Sequence, residues 1–276
     1  MKSLLEIIDE RLADDATLLP VFDRTAIQVQ REIAKADPDV GTIERLIVSD
    51  QSLTSQVLRT ANSAFYKGLS KVATIRSAIV RLGTEEIAKI VLLVTQRRQF
   101  QTRDPKFRQK MLDLWKHSVG CGIGAQWLAK ECGFRSMVYH AFTAGLLHDV
   151  GKLLLMSVLS AIDRSPEIDM SYSDELTREI LEGFHARYGH DLLKNWNLPE
   201  IYCRAARDHH IDDFDKNDTL LLLIRVANQA CHKLGIGCDP DPDLAVSALP
   251  EASLLGVSEI ILARLEIQLE DALILA

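Results

Sequence analysis

Residues 144–155 read AGLLHDVGKLLL, an apolar run interrupted by His148, Asp149, Gly151 and Lys152. A helix that Ser136 can cap is expected to enter this stretch and end around His148-Asp149-Val150-Gly151. The plain reading makes His148 a histidine at a helix C-terminus and Asp149 the cap of the next turn. The chemical reading sets an imidazole beside a carboxylate, a ligand pair suited to divalent zinc, iron, manganese or nickel. Lys152 can pair with a carboxylate or neutralise a phosphate beside such a metal.

Outward from this stretch, the histidines are His117, His140, His148, His185, His190, His209, His210 and His232. His117, His148-Asp149, His185 and His209-His210 fall near expected helix ends or in polar company. They are far apart in sequence, so they meet only if separate helices converge in a bundle core. A cation held there would acidify a bound water and polarise a phosphoryl oxygen, as in metal phosphohydrolases. Neighbouring residues on a helix point about 100° apart, so His209 and His210 need not reach one ion. His140, His190 and His232 read as structural or surface histidines, and Trp115, Trp127 and Trp196 as core.

The rest of the chain is patterned for helices throughout. Leu4, Leu5, Ile8 and Leu12 form one apolar stripe; Val21, Phe22, Ile27 and Ile33 form a second that stops at Asp37-Pro38. Thr42, Asp50 and Thr74 can cap the next helices, Gly83 suits a left-handed C-terminal position, and Thr84-Glu85-Glu86 suits a restart. Asn62 and Ser63 are expected to tie a helix end to its neighbour. Asp104-Pro105 opens a long helix to about Glu131 that stops near Gly133. Ser171 with Asp174 resembles a capping box, Pro199 opens the helix into His209-His210, and Asp218 caps Thr219–Leu234. The tail ends in an amphipathic helix carrying Ile260, Ile261, Leu265 and Leu269. No sustained strand alternation occurs, so the fold class is all-α.

Hydrophobic residues make up 47% and charged residues 26% of the 276 positions, which suits a packed globular protein rather than a disordered one. The formal charge of -7 repels polyanions, so nucleic acid is not an expected partner. A basic cluster between Arg97 and Lys110 reads mainly as a solvated helix end and linker. Cys121, Cys132, Cys203, Cys231 and Cys238 form no C-x-x-C pair and read as reduced thiols. No signal peptide or membrane span is expected, the run Ser136–Leu147 being too short, which points to the cytoplasm.

The quoted stretch strongly resembles the H-D-[IV]-G-K signature of the HD superfamily of metal-dependent phosphohydrolases. LWKHSVGCGIGAQWLA resembles the helix that supplies that superfamily's first histidine, here His117. The resemblance implies His117, His148 and Asp149 as ligands of a first metal, with a later Asp completing the site. At that place, in LLLLIRVANQACHKLG, this chain carries Asn228, a neutral and weaker ligand. The match narrows in residues 46–92, where VLRTANSAFY and IRSAIVRLG are similar to stretches shared by HDOD domains. DLLKNWNLPEIYCRAARDHH resembles that family's L-x-x-W-x-L-P…HH segment. The resemblance covers about residues 20–235. His185 falls where HD-GYP phosphodiesterases have a histidine for a second metal, and His209-His210 at their paired histidines. No G-Y-P motif follows, which argues against a cyclic-di-GMP phosphodiesterase of that type.

The resemblance therefore implies an HD-type helical core, residues 104–276, with an N-terminal helical HDOD lobe, residues 1–103. It implies a bacterial signalling module with one or two divalent transition-metal ions, or none, and little or no catalysis. The alternative is a metal-dependent phosphohydrolase acting on a nucleotide or phosphodiester, with Asp149 and Lys152 in catalysis. The expected partner is a separate signalling protein or a small phosphorylated ligand.

Overall fold

The computed structural model describes residues 2–15, 18–20, 22–33, 35, 37–64, 66, 71–165, 172–237 and 239–272. The helices are α1 (Leu4–Asp14), α2 (Arg24–Ile33), α3 (Val40–Val48), α4 (Gln51–Ala61), α5 (Ile75–Leu82), α6 (Thr84–Arg97), α7 (Pro105–Glu131), α8 (Val138–Leu147), α9 (Val150–Asp163), α10 (Asp174–Asn195), α11 (Glu200–Asp208), α12 (Thr219–Lys233), α13 (Pro250–Leu254) and α14 (Glu259–Ala272). No strand occurs among the described residues, and the fold is all-α.

Side-chain caps fix several of these starts, because the first backbone amides of a helix have no partner within it. Asp50, Thr74, Asp104 and Asp218 accept from amides of the turns that follow them. Other starts differ from the sequence reading. Asp39, not Thr42, caps α3, since its two carboxylate oxygens reach the amides of Gly41 and Thr42. Ser136 lies inside a 3-10 turn, Arg135–Met137, and makes no cap for α8. Ser171 lies outside the described residues; Ser173 caps α10. Gly83 takes positive φ, but with ψ at 161° it lies in an extended region that only glycine adopts easily rather than in the left-handed one; α6 restarts at Thr84 as expected.

The chain divides into two compact units: residues 21–99 with 271–276, and residues 1–20 with 100–270. In the first, α6 packs against α2, α4 and α5. Asn62 closes α4 there, donating to Leu58 O and Val72 O while accepting from Val72 N. In the second, α7 is the spine, packed against α8, α9 and α12, and α10 packs against α9 and α11. Helix α1, which the sequence reading groups with residues 1–103, packs on α9 and buries Leu4 and Ile8. Tyr188 on α10 donates to Asp9 and fixes it further.

Two glycines let these helices approach closely. A Cβ on Gly145 of α8 would stand 2.6 Å from Cys121 O of α7, and one on Gly151 of α9 would overlap the His185 carbonyl of α10. In α14, Leu262, Leu265 and Leu269 face inward whereas Ile260, expected on the apolar face, is 74% exposed. Among the described residues, one helical stretch, Arg135–Asp163, is long and apolar enough to cross a bilayer. That stretch is a core element here, with 83% of its apolar window buried inside the protein.

Candidate metal centre

Six helices and their ends deliver the predicted residues to one place in the second unit. His117 comes from the middle of α7, His148 and Asp149 from the turn joining α8 to α9, and His185 from α10. His209 and His210 form the turn that ends α11, and Asn228 lies in α12. His117, His148, Asp149, His185, His209 and Asn228 are each 3% exposed or less, while His210 is exposed. The question of which histidine of the pair turns inward is answered by His209. His210 stays at the rim, its ring 4.1 Å from that of His209.

The ring orientations are set by the backbone. Nδ1 of His117 lies 3.0 Å from Ile236 O, that of His148 2.7 Å from Gly145 O, that of His185 2.7 Å from Leu181 O, and that of His209 2.9 Å from Ala206 O. A carbonyl only accepts, so each Nδ1 carries the proton and each Nε2 presents a lone pair. These lone pairs converge on Asp149. Its Oδ2 is 3.6 Å from Nε2 of both His117 and His148, and its Oδ1 is 3.2 and 3.4 Å from Nε2 of His185 and His209. The last two nitrogens are 3.2 Å apart. Asp149 begins α9 but makes no side-chain cap there, so the plain reading of it as a capping residue does not hold.

Burial dominates the protonation of these groups. It pushes His117 down to about 3 and also lowers His148, His185 and His209. Burial alone would raise the Asp149 carboxyl, but the Lys152 ammonium opposes it and the group is held well below the ordinary range. Lys152, one turn along α9, donates to Oδ2 at 2.7 Å.

Neutral imidazoles and an ionised carboxylate therefore face one another as acceptors, a repulsive arrangement unless a cation lies among them. His148 Nε2 and Asp149 Oδ1 are buried without a hydrogen-bond partner. The 3.2–3.4 Å edges among Asp149 Oδ1, His185 Nε2 and His209 Nε2 match the roughly 3.4 Å ligand spacing of a tetrahedron built on bonds of about 2.1 Å. The residues present fit a divalent metal. Among the described residues two separate ligand groups occur: Asp149 with His185, His209 and His210, and His117 with Cys121 and His148.

Asn228 stands beside Cys121, its Oδ1 3.9 Å from the thiol sulfur. Beside His117 and Asp149 opens a cleft of about 340 Å³ whose wall also includes Lys152, Lys110, Arg178 and His232. A neighbouring recess reaches His185 and His210 and shares Lys152. The sequence reading missed three participants. Cys121 was legible in principle, four residues from His117 and so on the same helix face. His232, read as structural or surface, lies with its ring 5.1 Å from that of His117. Arg225 gave no local signal: it donates to His209 O and Ile211 O, pairs with Glu251 and so braces the turn bearing both histidines.

Fold and site together define an all-helical protein with a buried histidine–aspartate centre suited to a divalent metal. The HDOD domain profile matches residues 19–211, and the chain belongs to the HDOD family. An uncharacterized protein of Treponema pallidum (strain Nichols) is 27% identical over 206 residues, 72% of this chain and 39% of that one. The cyclic di-GMP phosphodiesterase CdgJ of Vibrio cholerae is 24% identical over 52% of this chain and 32% of its own length. The chain thus spans about a third of the length of these curated relatives. Among solved structures, an HDOD domain protein of Geobacter sulfurreducens superposes with a TM-score of 0.76 at 23% identity, covering 98% of this chain and 95% of that one. A Shewanella amazonensis protein provisionally named a metal-dependent phosphohydrolase gives 0.69 at 21% identity, covering 98% of both. These likenesses agree with the fold.

Proposed function

We propose that this chain is a bacterial HDOD signalling module whose centre holds one or two divalent transition-metal ions, of iron, zinc, manganese or nickel, with little or no turnover. The observation that carries the metal reading is the set of backbone-anchored imidazoles whose Nε2 lone pairs meet at one buried carboxylate. The regulatory reading is supported by the uncharged Asn228 amide at the position of an expected carboxylate, and by the Lys152 ammonium already bound to Asp149. Its output is to a separate signalling protein or follows a small phosphorylated ligand; neither nucleic acid nor a membrane is a proposed partner.

One observation favours hydrolysis instead. The cleft places Lys110, Lys152 and Arg178 beside His117 and Asp149, and its volume of about 340 Å³ suits a small phosphorylated ligand. A metal there would acidify water and polarise a phosphoryl oxygen; Lys152 would hold the phosphate.

The test is elemental analysis of untagged protein beside His148→Ala, followed by a phosphodiester and nucleotide hydrolysis screen. Metal in the wild type, lost in the variant, with no turnover under any added metal, supports the module. Turnover abolished by Asp149→Ala in a folded variant replaces it with the phosphohydrolase. Absence of metal, with none taken up on addition, removes the metal reading.

A further inference from the structure

We propose that Cys121 is a thiolate ligand of the ion bound by His117, His148 and Asp149, supplying the negative charge that Asn228 does not, so that this position takes zinc or iron(II) in preference to manganese. The inference rests on the metal reading above and narrows it.

Cys121 and His117 stand four residues apart on α7 and therefore share a face. The sulfur lies 3.5 Å from His117 Nε2, and the ligand atoms of His117, Cys121 and His148 all fall within 4.8 Å of one another. All three side chains are buried, and His148 Nε2 points into this group with no hydrogen-bond partner. The sulfur is also 3.9 Å from Asn228 Oδ1, so it occupies the neighbourhood of the amide that replaces a carboxylate. A divalent ion held by two neutral imidazoles and one carboxylate keeps a net positive charge in a buried site; one thiolate cancels it. Thiolate is a soft donor, favourable to zinc and iron and poorly matched to manganese, which prefers oxygen.

Burial keeps the Cys121 thiol protonated in the metal-free protein. On metal uptake the S–H bond breaks heterolytically. The proton leaves for solvent through the adjoining cleft, and sulfur keeps the electron pair that it donates to the cation. Nothing is oxidised. Cys231 packs near Cys121 from α12 but does not belong to the ligand group.

The experiment is cobalt(II) titration of the chelator-treated protein, following the near-ultraviolet thiolate-to-cobalt charge-transfer band and measuring bound cobalt by elemental analysis. The expected result is a band in the wild type and in Cys231→Ser, and its loss in Cys121→Ser, which still binds cobalt more weakly. X-ray absorption at the zinc edge of the unsubstituted protein should find one sulfur at about 2.3 Å, a readout that does not depend on any variant folding. Cobalt bound with no band, a band that follows Cys231, or a zinc shell without sulfur overturns the proposal while leaving the metal site standing. No cobalt or zinc bound at all overturns the metal reading and this proposal with it. In competition, zinc should displace manganese readily in the wild type, and the preference should shrink in Cys121→Ser.

Discussion

The Lys152 ammonium donates to Asp149 Oδ2 at 2.7 Å while its side chain keeps 17% of its surface exposed along the cleft. Without a metal, it is the only full positive charge that the described residues place on a carboxylate otherwise faced by neutral imidazoles. Breaking a buried pair by removing one partner costs about 3–5 kcal/mol, and the lower end applies where water can enter from a cleft. Lys152→Met should therefore destabilise the metal-free protein by about 3 kcal/mol, and the metal-loaded protein by much less, because a bound cation takes over the neutralising role. Urea unfolding with chelator and with zinc measures both; equal losses in the two states would count against an ion at Asp149. Asn228 permits a second check at this scale. Asn228→Asp places a carboxylate next to Cys121 and should tighten zinc binding by a factor of about ten or more, at about 1.4 kcal/mol per tenfold. An unchanged isothermal titration would remove Asn228 from the ligand set.

At the level of helices, the crossing of α9 with α10 depends on Gly151. A methyl there would overlap His185 O and sit 2.6 Å from Gly189 N, with backbone rather than a flexible side chain in the way. Gly151→Ala should cost at least about 3 kcal/mol by overpacking and push His185 away from Asp149, so metal content should fall with stability. Gly183 also lies on α10, but nothing stands within 4 Å of its added Cβ. Gly183→Ala should stabilise the protein by about 0.5–1 kcal/mol through helix propensity, and thermal unfolding of the two variants should move in opposite directions. The helices themselves were legible because their signals are local: Asp104-Pro105 and Asp218 stand where the caps are observed. What escaped was non-local or competitive. Asp39 outcompetes Thr42 because one carboxylate reaches two amides. The packing of α1 on α9 and the brace from Arg225 join residues distant in sequence, which periodicity does not register. The histidines could be named only because their order matched a known pattern; their separations along the chain carry no information about convergence.

Across the whole molecule, the buried histidines make the metal-free fold sensitive to acid well above the range where carboxylates titrate. His117 has its folded value lowered from 6.5 to about 3 by burial, and His148, His185 and His209 are lowered for the same reason. Below pH 6.5 the unfolded chain takes up these protons and the folded chain does not, so the unfolded state binds more protons and stability falls as pH falls. The stabilisation is complete above about pH 6.5 and, for His117, is lost progressively down to about pH 3. The slope approaches about 1.4 kcal/mol per pH unit for each such group once its unfolded form is protonated. Asp149 acts in the same direction but lower, since its depressed value preserves stability until the pH drops below the ordinary carboxylate range. Chelator-treated protein should therefore lose urea stability steeply between pH 6.5 and 4. His117→Gln should flatten the profile by up to one such group, whatever it does to stability at pH 8. Bound metal competes with protons for the same Nε2 lone pairs. Zinc should shift the onset of acid unfolding to lower pH, and the shift should vanish in His148→Ala. A profile that is flat above pH 5, or one that zinc does not move, would mean that the imidazoles are not held neutral and facing a common cation site.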